Sequence, residues 1–353
     1  MPSGVVRNPR VLISAGGASV APLECSVTTT THKRGDTFSA KLALDAPGGL
    51  DEHFWADTSP IPVTVTATND AASGGFATLF VGEVDTAEID FDQRTVHISG
   101  RDKTAKLLET KTTEKWQNHT TSEIVNDIAG RVGLSADIQV ADADKVGLIF
   151  KDDYNRISDQ DVLYNVLVRL AQREGNAVFV KKDRLVFKPA DQLGGGSFTI
   201  QYVAPTPQSY AQGNFTTLKA SRNLASAKNV KVNVKSWQHK QEKVIESEYQ
   251  SSGPGGDLEY TYRAPNMTKQ QADKIAKSRH DEVVGRERNL SVDAPGDVTI
   301  DPEMLLTLSG TGTGFDQDYI ISQIEHRFSQ HEGYRMSIST RNKDKNRKGS
   351  KSK

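Results

Sequence analysis

The segment most similar to a ligand-binding motif is the glycine-rich sequence GTGTG at residues 310–314. Glycine-rich loops bind phosphate through backbone N–H groups when a Lys-Ser/Thr pair follows and a helix begins there. Neither condition holds, because the segment lies between two strand-like runs and no Lys-Ser/Thr pair follows it. The sequence therefore predicts a hairpin loop here rather than a phosphate site.

An acidic segment has part of the spacing of a calcium-binding loop. The matching positions are Asp142, Asp144, Gly147 and Asp153. Val146 stands where that loop requires a ligand, and Asp153 replaces the bidentate Glu. The pattern is therefore too incomplete to predict a calcium site.

The remaining ligating and nucleophilic side chains form no recognisable constellation. Cys25 is the single cysteine and lies in the alternating run LECSV, which predicts a buried strand thiol and excludes an internal disulfide. No GxSxG motif occurs, and no carboxylate pair stands out for glycoside cleavage. The histidines lack the HExxH or HxH spacing that would hold zinc: His32, His53, His97, His119, His239, His280, His326 and His331. We predict no catalytic, cofactor-binding or metal-binding residue, and no enzymatic activity.

Composition and charge are those of a globular protein without a strongly charged partner. The 353 residues include 44 Lys and Arg and 45 Asp and Glu, for a net charge of -1. This balance argues against broad electrostatic binding to nucleic acid or to an anionic membrane. We expect no sequence-specific nucleic-acid partner. The chain starts without a secretory signal and has no apolar run of about 18 residues. The expectation is a soluble protein made in the cytoplasm, with no membrane anchor.

The distribution of strand-like and helical patterns predicts four regions. Alternating runs separated by turn residues fill residues 1–101 and predict a first β-barrel domain. Residues 102–190 mix helices and strands and predict an α+β insert, and residues 191–341 predict a second β-barrel domain with a helix near 268–289. Residues 342–353 are a basic tail that we predict to be disordered.

The predicted fold class is therefore α+β, predominantly β, with two antiparallel β-barrel domains, a small α+β insert between them and a helix in the second half. The two β-rich parts could be distant structural repeats. The basic tail could contact nucleic acid or an acidic partner surface, although a solvated tail is the simpler interpretation.

Residues 158–189 have the most complete local pattern, that of a capped helix followed by a hairpin. Ser158 is a candidate N-cap, and Asp159 and Asp161 stand where the helix dipole favours negative charge. Gly175 can adopt the left-handed conformation that ends a helix, and AVFV and RLVF then flank a polar KKD turn. No residue of this unit carries chemistry, so it is predicted to be a packing element.

Two further helices are predicted from capping-box spacing. Thr120 with Glu123 precedes an apolar stripe that Gly133 ends, and Thr268 with Gln271 begins the helix of the second half. Each amphipathic helix must cover its apolar face against a sheet or another helix.

Three stretches together resemble the baseplate hub proteins of phage tails and related contractile injection systems, the group that includes the late-control D proteins. Residues 80–110 contain a strand pair leading into Gly-Arg-Asp and Leu-Leu sequences. Residues 118–134 are followed after a spacer by the helix and hairpin at 158–180, and residues 317–340 are similar to the family's closing strand pair. Asp301-Pro302-Glu303 departs from the Pro-Gly turn expected before the last strands.

This resemblance implies a structural baseplate hub in the virion. It implies two β-barrels per subunit and a homotrimer whose six barrels form a pseudo-sixfold ring. Such a ring adapts the sixfold tail tube to the threefold central spike. The implied partners are the tail tube or distal tail protein, the spike protein and other baseplate components, with no cofactor.

Two alternatives from other classes stay open at the level of sequence. A tail-associated cell-wall hydrolase is one, although we expect the tail after Thr340 to be too short to carry the activity. A carbohydrate-binding receptor module is the other, and Trp55, Trp116 and Trp237 are the side chains that could serve as sugar platforms.

Overall fold

A computed structural model describes residues 8–31, 34–46, 48, 50–70, 75–112, 116, 119–140, 161–189, 192–193, 195–226, 229–238, 242–250, 257–263 and 267–343. Strands account for 52% and helices for 18%, so the predicted predominance of β structure is confirmed. No helix in this part of the chain is long and apolar enough to cross a membrane.

The first-half sheet is antiparallel and encloses an apolar core. Its elements are β1 (Arg10–Ala15), β2 (Ala18–Val20), β3 (Glu24–Thr30), β4 (Thr37–Ala43), helix α1 (Glu52–Asp57), β5 (Pro62–Thr68), β6 (Ala77–Asp90) and β7 (Thr95–Asp102). The strand order is β2-β1-β5-β6-β7-β4-β3. Every second residue of β1, β4 and β5 is buried, as the sequence alternation requires. Val65, Ile98 and Trp55 lie in this core.

The insert follows as a separate α+β layer. Its elements are α2 (Thr104–Glu109), β8 (Lys111–Thr112), α3 (Thr121–Arg131), β9 (Ser135–Ile138), β10 (Asp161–Val162), α4 (Leu163–Glu174), β11 (Asn176–Lys181) and β12 (Arg184–Pro189). The predicted hairpin is β11 and β12, with Lys182 at φ +57 in its turn. Gly175 ends α4 at φ +77, as predicted. All three helices and the hairpin contribute to one buried apolar cluster.

The start of α4 differs from the prediction. Ser158 and Asp159 lie outside the described residues, and the helix begins at Leu163 with no side-chain cap at Val162. Asp161 lies in β10 rather than in a first helical turn. Its buried carboxylate accepts hydrogen bonds from the Val162 N–H at 2.9 Å and from the Asn165 amide at 3.0 Å, and it pairs with Arg169. This carboxylate therefore fixes the entry to the helix from the strand side.

The second-half sheet has the remaining long strands, with a smaller strand-helix unit inserted into it. The elements are β13 (Ser197–Val203), β14 (Gln212–Gly213), β15 (Thr217–Arg222), β16 (Asn229–Gln238), β17 (Lys243–Gln250), β18 (Asp257–Arg263), α5 (Lys269–Val284), β19 (Arg288–Pro295), β20 (Leu305–Ser309), β21 (Asp318–Ser329) and β22 (Gly333–Asn342). Strands β16 to β18 and helix α5 form the strand-helix unit, which has its own core. The other seven strands form the second-half sheet in the order β14-β13-β20-β21-β22-β19-β15.

The two halves are joined in one 14-stranded sheet, and no closed barrel is found among the described residues. Strand β21 makes the junction because it is 12 residues long and is interrupted by a bulge between Ile321 and Gln323. On one edge, its first residues pair with β20 and its residues after the bulge pair with β3. The sheet is also not wholly antiparallel, since β13 runs parallel to β20.

Five strands of each half follow the same order and directions. The order β3-β4-β7-β6-β5 in the first half corresponds to β15-β19-β22-β21-β20 in the second, and all neighbours within each set are antiparallel. The corresponding long strands β6 and β21 both carry a bulge opposite the strand that follows them. The chain therefore contains an internal structural repeat.

Candidate functional site

The loop at residues 310–314 has no free phosphate cradle. It connects β20 and β21, so the predicted hairpin loop is confirmed. The Asp316 carboxylate accepts hydrogen bonds from the Thr311 N–H at 3.0 Å and the Gly312 N–H at 2.8 Å. The backbone donors that a phosphate would need are thus already used within the loop. The acidic pattern from Asp142 to Asp153 lies outside the described residues.

The ligating side chains are dispersed. Among residues that the structure describes, no group of three His, Cys, Asp or Glu side chains is placed to hold a metal ion. Cys25 is buried as predicted, and burial raises the pKa of its thiol to about 12. His326 is buried in β21 with its Nδ1 atom 2.8 Å from the Tyr334 hydroxyl, and burial lowers its pKa to about 4. His32 and His239 lie outside the described residues.

A polar cavity of about 110 Å³ lies where the first-half sheet, the insert and the second-half sheet meet. We call it the junction cavity. Asp36 and Asp102 come to it from the first half, Lys181 from the insert, and Asp301 and His326 from the second half. Sequence analysis did not identify this site, because its members are far apart along the chain and no local spacing links them.

The two carboxylates of the first half already have structural partners. Burial, followed by the nearby Asp102 carboxylate, holds the pKa of Asp36 well above its usual range, and Asp36 accepts a hydrogen bond from the Thr30 N–H at 2.8 Å. Burial raises the pKa of Asp102 to about 6, although its carboxylate accepts hydrogen bonds from the Thr104 N–H at 3.1 Å and hydroxyl at 3.0 Å. Asp36 thus holds the β3–β4 turn, and Asp102 holds the entry to α2.

Lys181 ties the insert to the second half. Its ammonium group lies 2.5 Å from the Asp301 carboxylate and 2.6 Å from the Glu303 carboxylate, and its side chain is only 18% exposed. Both acids belong to the Asp301-Pro302-Glu303 sequence, which stands where the family resemblance implies a Pro-Gly turn. In this chain the two acids form ion pairs with the insert instead. Partly buried pairs of this kind fix geometry more than they add net stability.

Exposed apolar residues and strand edges are the other notable surface features. The exposed large apolar side chains are Phe76, Phe91, Leu108, Val203, Tyr210, Leu224, Trp237 and Val244. They are spread from position 76 to position 244 of the sequence, and single exposed apolar side chains are common on globular proteins. Of the proposed sugar platforms, Trp55 is buried and Trp116 donates a hydrogen bond to Asp127 at 2.8 Å. Trp237 is exposed to 45%, but it stands on a strand face without a neighbouring tryptophan among the described residues.

Joined sheets with a polar joint between them and exposed strand edges characterise the described part of the chain. The family follows from the sequence, because residues 59–332 match the family Phage tail baseplate hub (GPD). The match covers most of the chain, so the protein belongs to the phage tail baseplate hub family, as the resemblance predicted. It is therefore a virion-associated tail protein of a structural family.

Solved structures of tail proteins share the fold over nearly the whole chain. The 43 kDa tail protein of prophage MuSo2 from Shewanella oneidensis is similar with a TM-score of 0.70 at 16% identity, covering 94% of this chain and 98% of that one. A tail protein from Neisseria meningitidis MC58 has a TM-score of 0.70 at 12% identity, covering 95% of this chain and 97% of that one. No curated protein sequence matches this chain significantly.

A secretion-system protein shares the fold more distantly. The E. coli c3393 protein is a component of the type VI secretion system with structural similarity to the T4 bacteriophage tail proteins gp27 and gp5. It is similar to this chain with a TM-score of 0.55 at 10% identity, covering 93% of this chain and 76% of that one.

Proposed function

We propose that the protein forms a homotrimeric hub that adapts the sixfold tail tube to the threefold central spike. The observation that carries this proposal is the internal repeat of five strands in the same order. Three copies of a chain with two similar halves supply six similar units around one threefold axis. Such a ring can contact six identical tube subunits on one side and three spike subunits on the other.

Each half is proposed to act as a barrel-like roll. In the first half, β2 leads into β3 after three residues, although these strands lie at opposite ends of the strand order. In the second half, β14 leads into β15 in the same way. The chain itself therefore connects the ends of each roll. The proposed domain boundaries remain 1–101, 102–190 and 191–341.

The proposed partners are the tail tube or distal tail protein, the spike protein and other baseplate components. The likeness to the E. coli c3393 protein, which has structural similarity to two bacteriophage tail proteins, supports partners within the tail. A nearly neutral net charge of -1 favours interfaces formed by shape and strand pairing over broad charge attraction. Synthesis in the host cytoplasm is part of the proposal.

The test is the mass of the purified protein by light scattering, followed by electron microscopy. The expected mass is about 116 kDa, three times the 38.6 kDa of one chain, in a ring with threefold or pseudo-sixfold projections. A monomer at all concentrations up to the millimolar range would contradict the proposal. Digestion of purified peptidoglycan by the same sample would support the hydrolase alternative instead.

A further inference from the structure

The joint between the two halves of one chain is a template for a second joint between chains. Residues 323–329 of β21 pair with residues 24–30 of β3, antiparallel and in continuous register. By the internal repeat, β6 corresponds to β21, and β15 corresponds to β3. The edges of β6 and β15 that match the two sides of this joint have no strand partner among the described residues.

We infer that β15 of one subunit pairs antiparallel with the C-terminal part of β6 of the next subunit. This inference rests on the proposed homotrimer and names the strands that form its interface. One subunit contributes the edge of β15, which corresponds to β3, and the next contributes the edge of β6, which corresponds to β21. The two contacting surfaces differ, so the contact is heterologous. Heterologous contacts close into a ring when the rotation divides the circle, and six halves complete it with three chains.

The two bulges fix which residues correspond. The Ser322 bulge of β21 corresponds to the Asp85 bulge of β6, because each is the residue skipped in pairing with the next strand. Counting from the bulges, Arg327 corresponds to Asp90, and Phe328 corresponds to Phe91. The ladders through β4, β7, β19 and β22 likewise relate β3 to β15.

The register between subunits follows from these equivalences. Ser26 pairs with Arg327 in the existing joint, and their equivalents place Lys219 opposite Asp90. The complete set of expected pairs is Thr86 with Asn223, Ala87 with Arg222, Glu88 with Ser221, Ile89 with Ala220, Asp90 with Lys219, Phe91 with Leu218, and Asp92 with Thr217.

Charge complementarity supports this register. The edge of β6 reads DTAEID and the edge of β15 reads TLKASR, so one is acidic and the other basic. Lys219 would face Asp90 directly and Glu88 diagonally, within reach across neighbouring strands. In the existing joint, Ser26 uses the same diagonal to donate to Glu325 at 3.3 Å. No described residue forms an ion pair with Lys219, Glu88 or Asp90 within the chain.

Side chains at the β21–β3 joint are buried, whereas their equivalents on the edges of β6 and β15 are exposed. This difference is expected if those edges lack their neighbouring strand in a single chain. Phe328 is 7% exposed, whereas its equivalent Phe91 is 66% exposed. Val27 is fully buried, whereas its equivalent Ala220 is exposed. Leu224, which follows β15, is 69% exposed. A second copy of the chain placed on these edges would cover all of these apolar side chains and pair both free strand edges.

Disulfide cross-linking tests the register. The double variant D90C/K219C places cysteines on directly opposite positions, which bring Cβ atoms close enough for a disulfide after a small adjustment. The native Cys25 is buried with a pKa raised to about 12 and stays unreactive. Oxidation should give covalent dimers and a closed covalent trimer on a denaturing gel. The control H97C/K219C, whose first cysteine lies on the exposed face of β7 one strand further away, should give neither.

Charge reversal provides a second, independent measurement. K219E places a third carboxylate against Glu88 and Asp90, and the trimer dissociation constant should rise by at least about tenfold per interface. The compensating variant E88K/D90K/K219E should recover most of this loss. Circular dichroism checks that each variant keeps its sheet content.

The outcomes separate this inference from the proposed function. A trimer that cross-links through D90C/K219C supports both. A trimer that fails to cross-link, and whose stability K219E leaves unchanged, overturns the strand pairing while the hub proposal stands. A persistent monomer without cross-links overturns both. Cross-linked polymers longer than three chains would support the strand pair and overturn threefold closure.

Discussion

His326 is a buried side chain of β21 that lines the junction cavity between the two halves. It is 2% exposed, its ring bonds the Tyr334 hydroxyl, and Tyr334 stacks on Phe328 at 4.1 Å between ring centroids. Burial lowers its pKa to about 4, against a smaller opposing effect of Asp297. The histidine is therefore neutral in the folded protein at pH values where an unfolded chain would already be charged.

The first prediction is acid sensitivity that depends on His326. Because the folded-state pKa is about 4 and the unfolded value is about 6.5, stability is retained above pH 6.5 and lost as pH falls toward 4. The loss should be on the order of 3 kcal/mol. H326Q keeps a hydrogen-bonding group and should lack this acid-dependent loss of stability. Urea unfolding at pH 7 and pH 4.5 measures it, with the exposed-site variant H97Q as control. Equal pH dependence in H326Q and wild type would contradict the prediction.

Asp102 should act in the opposite direction, because burial raises its pKa to about 6. A raised carboxyl pKa means that the folded state binds the proton more tightly than the unfolded state. The stabilising contribution of Asp102 is therefore present below about pH 4 and is lost as pH rises through 6. D102N keeps an acceptor for the Thr104 N–H but carries no charge. Relative to wild type, its free energy of unfolding should therefore improve by on the order of 3 kcal/mol between pH 4 and pH 7.

The measurement is again urea unfolding at the two pH values. The exposed carboxylate of Asp57, which is 78% accessible, provides the matched control D57N. If D102N and D57N change in parallel with pH, the buried charge at the junction cavity does not set the stability profile.

At the scale of elements, local capping decides where the helices begin. The Thr120–Glu123 and Thr268–Gln271 capping boxes are both present as predicted, with Thr120 accepting from the Glu123 N–H at 3.2 Å and Thr268 from the Gln271 N–H at 3.3 Å. Each satisfies backbone donors that would otherwise be unpaired. The helices can then present their apolar faces to the hairpin and to the β16–β18 sheet.

Removing one cap should therefore cost a measurable and local amount. T120A is expected to lower the free energy of unfolding by about 1 kcal/mol. The variant N126A changes an exposed side chain of the same helix beyond its first turn and should cost less than half as much. Thermal unfolding followed by circular dichroism compares them. A T120A effect no larger than that of N126A would show that packing alone fixes the start of α3.

Signals confined to a few residues could be predicted from the sequence, and distant ones could not. The caps, the Gly175 terminator and the Lys182 turn all depend on neighbours within about a helical turn. Asp161 was misplaced because its partner Arg169 outweighs a generic preference for the first helical turn. The junction carboxylates could not be selected among 45 acidic residues, since their burial arises only when three parts of the chain meet.

The sharing of β21 is the main feature that sequence alternation could not reveal. Alternation identifies a strand and its buried face, but it does not identify the neighbouring strand. Strand β21 pairs with β3, almost 300 positions earlier, and this pairing starts at Gln323, directly after the bulge in its pairing with β22. Two alternating regions predict two barrels. The described strands are joined by β21 into one sheet in which no closed barrel is found.

At the scale of the whole molecule, the packing contacts also join units that are separate in sequence. Helix α4 of the insert contacts helix α5 of the strand-helix unit, where Lys274 lies 3.1 Å from Glu174 and Arg279 donates to Gln172 at 3.3 Å. Lys181 makes the corresponding joint between the insert and the second-half sheet. In the proposed hub, such coupling would let force on one half reach the other half through paired strands.

The last prediction is that both halves unfold in one transition because they share β21. Leu308 lies on β20 in the second-half core and is 1% exposed, while Trp55 lies in the first-half core. In a W116F/W237F background, Trp55 fluorescence reports the first half alone. L308A should lower the free energy of unfolding by about 2–5 kcal/mol. The urea midpoint seen by Trp55 fluorescence should shift by as much as the midpoint seen by circular dichroism of the sheet. The exposed-site variant V244A should shift neither probe. One transition is expected because a continuous hydrogen-bonded sheet cannot lose one side while the other keeps its full stability. A Trp55 transition that stays in place while circular dichroism becomes biphasic would contradict this prediction and mean that the halves unfold independently.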